Sequence, residues 1–334
     1  MAVRRTTKIE NQPLKSWAAA AMLALLVGGL CFFILKAHNQ ANPEVGAGDF
    51  KWALRAMRDL LSGRDPYGYP PGPYAIPYPL PSAFAALPVA WMPDVAAGSV
   101  FFGLSVLLLA YCVFRSGEEW RLAMLLSWNF VYALLWVQWT PLMCCLWFLP
   151  QAMPLLLIKP NIAIPIALAR WLPHIREPRF LLRWSIAPLV LLGVSLAFKP
   201  DWPAVWLQQT STYQGIKPPI LVLPLGPLVL LSLVAWPDRR ALLIVLMACM
   251  PQRMVYDQLP LLLAAGTRSQ LWLLVAASWV NCAIFWNTEG GWSAVPLGWQ
   301  NFILLTLYLP AVGVVIWPRL RAWISPPDPV SDIV

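Results

Sequence analysis

The chain has 334 residues, of which 59% are hydrophobic and only 12% charged, against roughly a quarter charged in a soluble domain. So much apolar side chain exceeds what a water-soluble core can bury beneath polar surface, whereas a bilayer solvates apolar faces directly, so a soluble enzyme carrying one anchor is excluded. The formal net charge of +9 does not point to nucleic acid, because the basic residues fall in short clusters between apolar runs and form no patch.

Arg4, Arg5, Lys8 and Lys15 precede an apolar run over 17–35, long enough to span a bilayer at ~1.5 Å per residue. Lys36-Ala37-His38-Asn39 follows in place of a small-residue cleavage site, which predicts a retained first helix with a cytoplasmic N-terminus. The outward connection is then residues 36–80. Within it, Phe50, Ala53, Leu54, Met57 and Leu61 share one helical stripe over 49–62, with Lys51, Arg55, Arg58 and Asp59 opposite. This predicts an amphipathic helix lying on the membrane surface, with Asp49 as N-cap and Gly63 as C′ glycine. The Pro-, Tyr- and Gly-rich run over 66–81 predicts an irregular return into the bilayer.

Further helices are predicted near 94–114, 184–198, 220–236, 241–251, 258–267, 271–286 and 300–317. They leave Arg115 and Arg121, Arg170, Arg176, Arg179 and Arg183, Arg239 and Arg240, Arg268, and Arg319 and Arg321 on one side, the cytoplasmic one by the charge rule. Both termini lie there too. Between Arg121 and Arg170 the number of crossings must be even. Two full spans fit, and so do four short ones broken at Pro141, Pro150, Pro154 and Pro160. The expectation is an all-α polytopic bundle of about 10–12 spans, one domain over 1–334, in the cell membrane among its lipids. The six cysteines lack a CxxC pair, and His38 and His174 are the only histidines. They make a zinc site improbable, and the cysteines read as small buried hydrophobes.

Asp49-Phe50 opening an amphipathic helix, then Leu60-Leu61-Ser62-Gly63-Arg64-Asp65-Pro66-Tyr67, then a Tyr- and Pro-rich stretch over 74–88, resembles the first outer loop of glycosyltransferase family 87. These are polytopic GT-C enzymes related to polyprenyl-phosphate-mannose-dependent mannosyltransferases. Val137-Gln138 stands where that family tends to have Gly-Gln, Ile158-Lys159-Pro160-Asn161 is similar to its Lys-Pro-Gln, and Tyr256-Asp257-Gln258 to the opening of a late helix. The chain departs from the pattern in the missing Gly before Gln138, in Asn161, and in the short connection from Gln138 to Lys159. The resemblance implies inverting transfer of a sugar, mannose first, from a polyprenyl-phosphate donor to an extracytoplasmic lipid or glycan acceptor.

Such a transfer needs a carboxylate base, groups that hold the departing phosphate, and an apolar groove for the prenyl chain. Asp49 is the candidate base, against the plainer role of capping a helix. Lys159 is the sole charge between Leu122 and Ala169, which marks a function with an anionic partner, here the donor phosphate, or a lysine snorkelling to an interface. Gln138 is either a substrate contact or a polar helix end between Trp136 and Trp139. Arg253 is assigned to phosphate, and Asp257, beside Tyr256, to sugar hydroxyls, or to an ion pair with Arg253. Arg64, like Arg55 and Arg58, is either a substrate contact or solvated surface, and Tyr67 and Tyr78 either stack on sugars or join an interfacial belt. Asp49 with Glu44 or Asp257 offers oxygen ligands for Mg²⁺ or Mn²⁺, but no acidic spacing demands a metal and none is assigned. A transporter or lipid flippase is the alternative, and a non-catalytic envelope subunit a third reading. A site shared by Asp49 and Lys159 at the outer face favours transfer over transport.

Overall fold

Four helices of the computed structural model are long and apolar enough to cross a membrane: Ser16–Ala41, Asp94–Ser116, Pro178–Phe198 and Gln300–Ile324. The structure describes residues 12–69, 77–210, 217–251, 254–287 and 299–324, and among these every regular element is helical.

Helices α1 (Gln12–Ala41) and α4 (Asp94–Ser116) form an antiparallel pair. Small residues explain their approach, since side chains at the crossing would hold the backbones apart. A Cβ on Gly103 would lie 3.1 Å from the Ala24 carbonyl oxygen, and one on Gly98 3.1 Å from Leu35 Cδ1. Trp17 stacks on Tyr111 at 4.0 Å, which places Arg115 and Gly117 at the same end as the chain start. The opposite end carries the loop over 42–93, with α2 (Lys51–Leu61) and α3 (Pro81–Ala86). We call these the basic end and the loop end.

Asp49 does not cap α2. It sits inside a 3₁₀ turn, Gly48–Phe50, and α2 begins after it with Phe50 at the N-cap and no side-chain cap. The charged face of α2 is only partly open, with Lys51, Arg55 and Arg58 half-buried. Asp59, expected on the solvated face, is buried, while Leu61 of the apolar stripe is 64% exposed. The loop that follows folds back over the polar face, and Arg64 pairs with Asp59 at 2.7 Å while the Tyr69 hydroxyl donates to it at 3.1 Å. Gly63 does fill the C′ position, at φ 68°. Its N–H donates to the Leu60 carbonyl and that of Arg64 to Asp59, the paired bonds of a Schellman turn. Arg58, expected as solvated or headgroup-facing, ties α2 to the start of α4 through Asp94 at 2.6 Å and the carbonyls of Ala90 and Met92.

The region from 119 to 171 consists of short pieces: a 3₁₀ segment Glu119–Leu126, α5 (Trp128–Leu135), α6 (Thr140–Cys144), a 3₁₀ turn Cys145–Trp147, a further 3₁₀ segment Pro150–Leu157, and α7 (Pro160–Trp171). Pro141, Pro150 and Pro160 each start an element, where a missing N–H costs nothing. Pro154 lies inside a segment instead of breaking it. The chain returns to the basic end at Trp147, whose carbonyl accepts from Arg170 at 3.1 Å, and again at Trp171, whose indole donates to Leu146. Helix α8 (Pro178–Phe198) then climbs to the loop end, where Lys199 pairs with Asp65 at 2.9 Å. α9 (Trp202–Thr210) packs there, Trp206 donating to the Pro77 carbonyl.

The helix expected over 220–236 is instead a 3₁₀ segment, Gly226–Ala235, and that over 258–267 another, Val255–Ala264. In the first, Gly226, Val229, Ser232 and Ala235 are buried, a repeat of three that matches three residues per 3₁₀ turn. The second is buried throughout, with Pro260 inside it. α10 (Arg239–Cys249) and α11 (Arg268–Asn287) flank it, and α12 (Trp299–Ile303) runs through a π turn, Leu304–Tyr308, into α13 (Leu309–Ile324). All six cysteines are free, and Cys249 is exposed instead of buried.

Candidate active site

Two tight backbone features bring the first loop against the end of α5. Gly48 has φ 62°, and a Cβ there would stand 2.6 Å from the Trp136 carbonyl oxygen. That same carbonyl accepts the Asp49 N–H at 2.9 Å. Across from it α5 ends in a second Schellman turn. The Val137 N–H donates to Leu134 and the Gln138 N–H to Ala133, which puts Val137 at C′ with φ 52°. Glycine takes that left-handed conformation freely, whereas a β-branched residue holds it at a cost of order 1–3 kcal/mol. The family resembled above has Gly at this position. Asn39 fixes the approach of the loop, as its side chain exchanges two hydrogen bonds with the Gly46 backbone, both at 2.9 Å.

Asp49 is thereby held, half-buried, against Gln138. The Gln138 Nε2 donates to Asp49 Oδ2, and Lys159 Nζ donates to Gln138 Oε1 at 3.0 Å and to Asp257 Oδ1 at 3.0 Å. Tyr256 donates its hydroxyl to Asp49 Oδ2 at 3.4 Å. The direction of this chain follows from its charges. An ammonium has only donors, so the amide oxygen of Gln138 must face Lys159, its NH₂ must face Asp49, and Asp49 must accept. Lys159 stands at the N-cap of α7, and Asp257 in the first turn of Val255–Ala264. Both ionic side chains are nearly inaccessible, 9% and 3% exposed, as a charge at such depth requires a partner.

Aromatic rings enclose the network. Lys159 Nζ lies 5.9 Å from the Tyr78 ring centroid and 5.5 Å from that of Tyr256, distances at which a ring face attracts a cation. Phe50 stacks on Phe101 at 4.0 Å, and Trp139 packs against Phe50, Phe101 and Tyr78. Trp139 Nε1 and Thr140 Oγ1, the next side chains after Gln138, are buried without a hydrogen-bond partner. Behind Asp257, the π turn presents Tyr308, whose hydroxyl donates to Gln258 Oε1 at 2.8 Å. Trp139 and Tyr308 were not among the residues expected from sequence. A Trp beside a polar Gln was the available signal for the first, and a π turn has none that apolar patterning carries.

Of the expected site residues, Asp49, Gln138, Lys159, Tyr78, Tyr256 and Asp257 therefore meet in one place at the loop end. Asp257 pairs with Lys159, a pairing not expected from sequence, and Arg253, the ion-pair partner that was expected, lies outside the described residues. Tyr67 and Arg64 hold the loop together instead. The Tyr67 hydroxyl donates to the Tyr78 carbonyl at 2.8 Å, its own carbonyl accepts from Gln209, and burial pushes the pKa of that hydroxyl well up. Arg64 is engaged by Asp59. Glu44 is exposed, and among the described residues no three His, Cys, Asp or Glu side chains gather as a metal site.

Chemically, the arrangement offers a partly accessible carboxylate able to take a proton, with a buried cation two hydrogen bonds behind it and aromatic walls around both. Comparison with protein families, curated proteins and solved structures finds no match.

Proposed function

We propose that the chain is a polytopic membrane glycosyltransferase of the GT-C type, moving one sugar, mannose first, from a polyprenyl phosphate to a lipid or glycan hydroxyl. What supports this reading is the meeting of Asp49, Gln138, Lys159, Tyr256 and Asp257 from far-separated parts of the chain at one end of the bundle. The clustered arginines crowd the other end, which by the charge rule is cytoplasmic, so the site faces away from the cytosol. On this reading the short runs between the two ends are also crossings, toward the total of about 10–12 expected from sequence.

In this mechanism Asp49 takes the proton of the acceptor hydroxyl as the hydroxyl oxygen attacks the anomeric carbon from the face opposite the lipid phosphate. The phosphate leaves with the bonding electron pair, and Lys159 stabilises the charge that develops on it. Gln138 couples the two, holding the base at a fixed distance from the cation. Tyr78 and Trp139, both buried, form the aromatic wall that keeps the network behind Asp49 apolar.

The test is transfer from a panel of labelled polyprenyl-phosphate sugars in membranes, wild type against Asp49→Asn. Loss of the base is expected to slow transfer by roughly 10²–10⁴-fold. Turnover at the wild-type rate in that variant would remove Asp49 from the mechanism, and absence of transfer from every donor by the wild type would remove the activity.

A further inference from the structure

At the basic end, far from Asp49, an apolar groove opens between the 3₁₀ segment Pro150–Leu157, α7 and α8. Met153, Leu156, Leu168, Trp171, Phe180 and Leu181 line it, and it holds about 230 Å³. A second hollow shares Met153, Leu156 and Phe180 and continues along α8 past Trp184 to Leu189. The groove opens sideways, since Leu168 and Leu181 on its rim are each 40% exposed. Its outer wall α8 has only 6% of its apolar window buried within the protein, so lipid is what touches this flank in the membrane reading.

The inner mouth of the groove is cationic. Trp171 lines the groove with its ring, and the Arg170 guanidinium lies over that ring at 4.5 Å. Arg170 spends Nε on the Trp147 carbonyl, and Arg239 sits over the Trp147 ring at 5.2 Å. The nearby carboxylates are taken, Glu118 by Arg121 and Asp238 by Arg240. Among the described residues, neither Arg170 nor Arg239 has a carboxylate within ion-pair distance. Arg239 in fact opposes the charges of both Arg170 and Arg121. Two guanidiniums meet at Trp147, one on its carbonyl and one over its ring. The carboxylates they feel at longer range, Glu118 and Asp238, already pair with other arginines, which leaves bidentate donors for the anionic oxygens of a phosphate diester.

We propose that this corner binds one acidic phospholipid from the leaflet at the basic end, its phosphate between Arg170 and Arg239 and one acyl chain in the groove. Apolar length and charge are both required, as basic pockets between membrane helices hold acidic headgroups.

The test is native mass spectrometry of the full chain released from mixed vesicles of phosphatidylglycerol and phosphatidylcholine with identical acyl chains. The wild type should retain phosphatidylglycerol over phosphatidylcholine by roughly tenfold, and Arg170→Gln with Arg239→Gln should abolish that preference. Leu168→Trp, which fills the groove and leaves the charges in place, should lower retention of the lipid as well. Arg176→Gln, a substitution of an exposed arginine outside the corner, should leave it unchanged, and inorganic phosphate should not displace the bound lipid. Equal retention of the two lipids by the wild type, undiminished preference in the double variant, an equal loss in Arg176→Gln, or displacement by inorganic phosphate would each overturn the proposal.

Discussion

Replacing Lys159 by Met removes one ammonium and keeps most of the side chain's volume, so the response reports on charge and hydrogen bonding and little on packing. Asp257 then loses the ammonium at 3.0 Å and Gln138 its donor at 3.0 Å. An exposed pair would contribute only ~0–1 kcal/mol, because water takes over from the lost partner. Here the two ionic side chains are 9% and 3% exposed, so water replaces little, and a carboxylate that loses its cation at such depth costs about 3–5 kcal/mol. At about 2 °C per kcal/mol for a chain of this size, the melting temperature should fall by roughly 6–10 °C. Adding Asp257→Asn to Lys159→Met removes the stranded charge, so the double variant should recover much of the loss, with a coupling energy of about 2 kcal/mol. The assay is the monodisperse fraction remaining after heating in detergent, followed by size-exclusion chromatography, with scan rates matched because unfolding of such proteins is commonly irreversible. A single variant that melts with the wild type, or a double variant whose loss is the sum of the two singles, would show that this pair is solvated and that the site is not the dry network described.

Other expectations test separate parts of the structure. Gly48→Ala should cost roughly 2 kcal/mol or more and slow any transfer, because its Cβ would meet the Trp136 carbonyl oxygen at 2.6 Å. Gly63→Ala, with nothing within 4 Å, should cost about 1 kcal/mol, and equal melting curves for the two would refute the close approach. Arg58→Ala should destabilise by about 2 kcal/mol through loss of its bonds to Asp94, Ala90 and Met92, measured by the same heating assay. Burial works against the Asp238 carboxylate, yet the hydrogen bonds it accepts from Arg240 hold its pKa below the ordinary value. A depressed carboxylate stabilises the fold fully above its unfolded pKa of about 3.9 and loses that contribution as pH falls through the lower folded value. Asp238→Asn should therefore melt below wild type at pH 6, with the gap closing as the pH is lowered past 4, whereas a gap independent of pH would refute the assignment.

Much of the site was legible because a charge or amide in an apolar stretch demands a reason. Lys159, Gln138 and Asp257 stood out for that reason, and they share a network. The partner was the illegible part. Lys159 was read against a donor phosphate and Asp257 against sugar hydroxyls or Arg253, and nothing in the sequence joins the ammonium to the carboxylate, because residues 98 apart become neighbours only through the packing of α7 on Val255–Ala264. Asp59 shows how local periodicity misleads. It lies opposite Phe50 on a helical wheel, and a wheel carries no record of Arg64 and Tyr69 folding back over it. The misplaced cap has a similar cause, since the Asp49 N–H is spent on Trp136 and the helix starts only after the turn is complete. The Gly absent before Gln138 was visible as a departure from the resembled family. Its meaning, a left-handed C′ residue, emerges only with the backbone of Val137 in view.

The segment Gly226–Ala235 separates residue count from distance covered. At ~2.0 Å per residue a 3₁₀ segment of ten residues reaches about 20 Å, as far as thirteen or so residues of α-helix. Its repeat also changes which neighbours a side chain meets. Gly226, Val229, Ser232 and Ala235 form one narrow seam of small groups, so a single inserted residue would rotate everything beyond it by a third of a turn and turn leucines toward the seam. A stretched, three-fold helix of this kind covers distance with few residues, and it leaves little tolerance for insertion or deletion along its length.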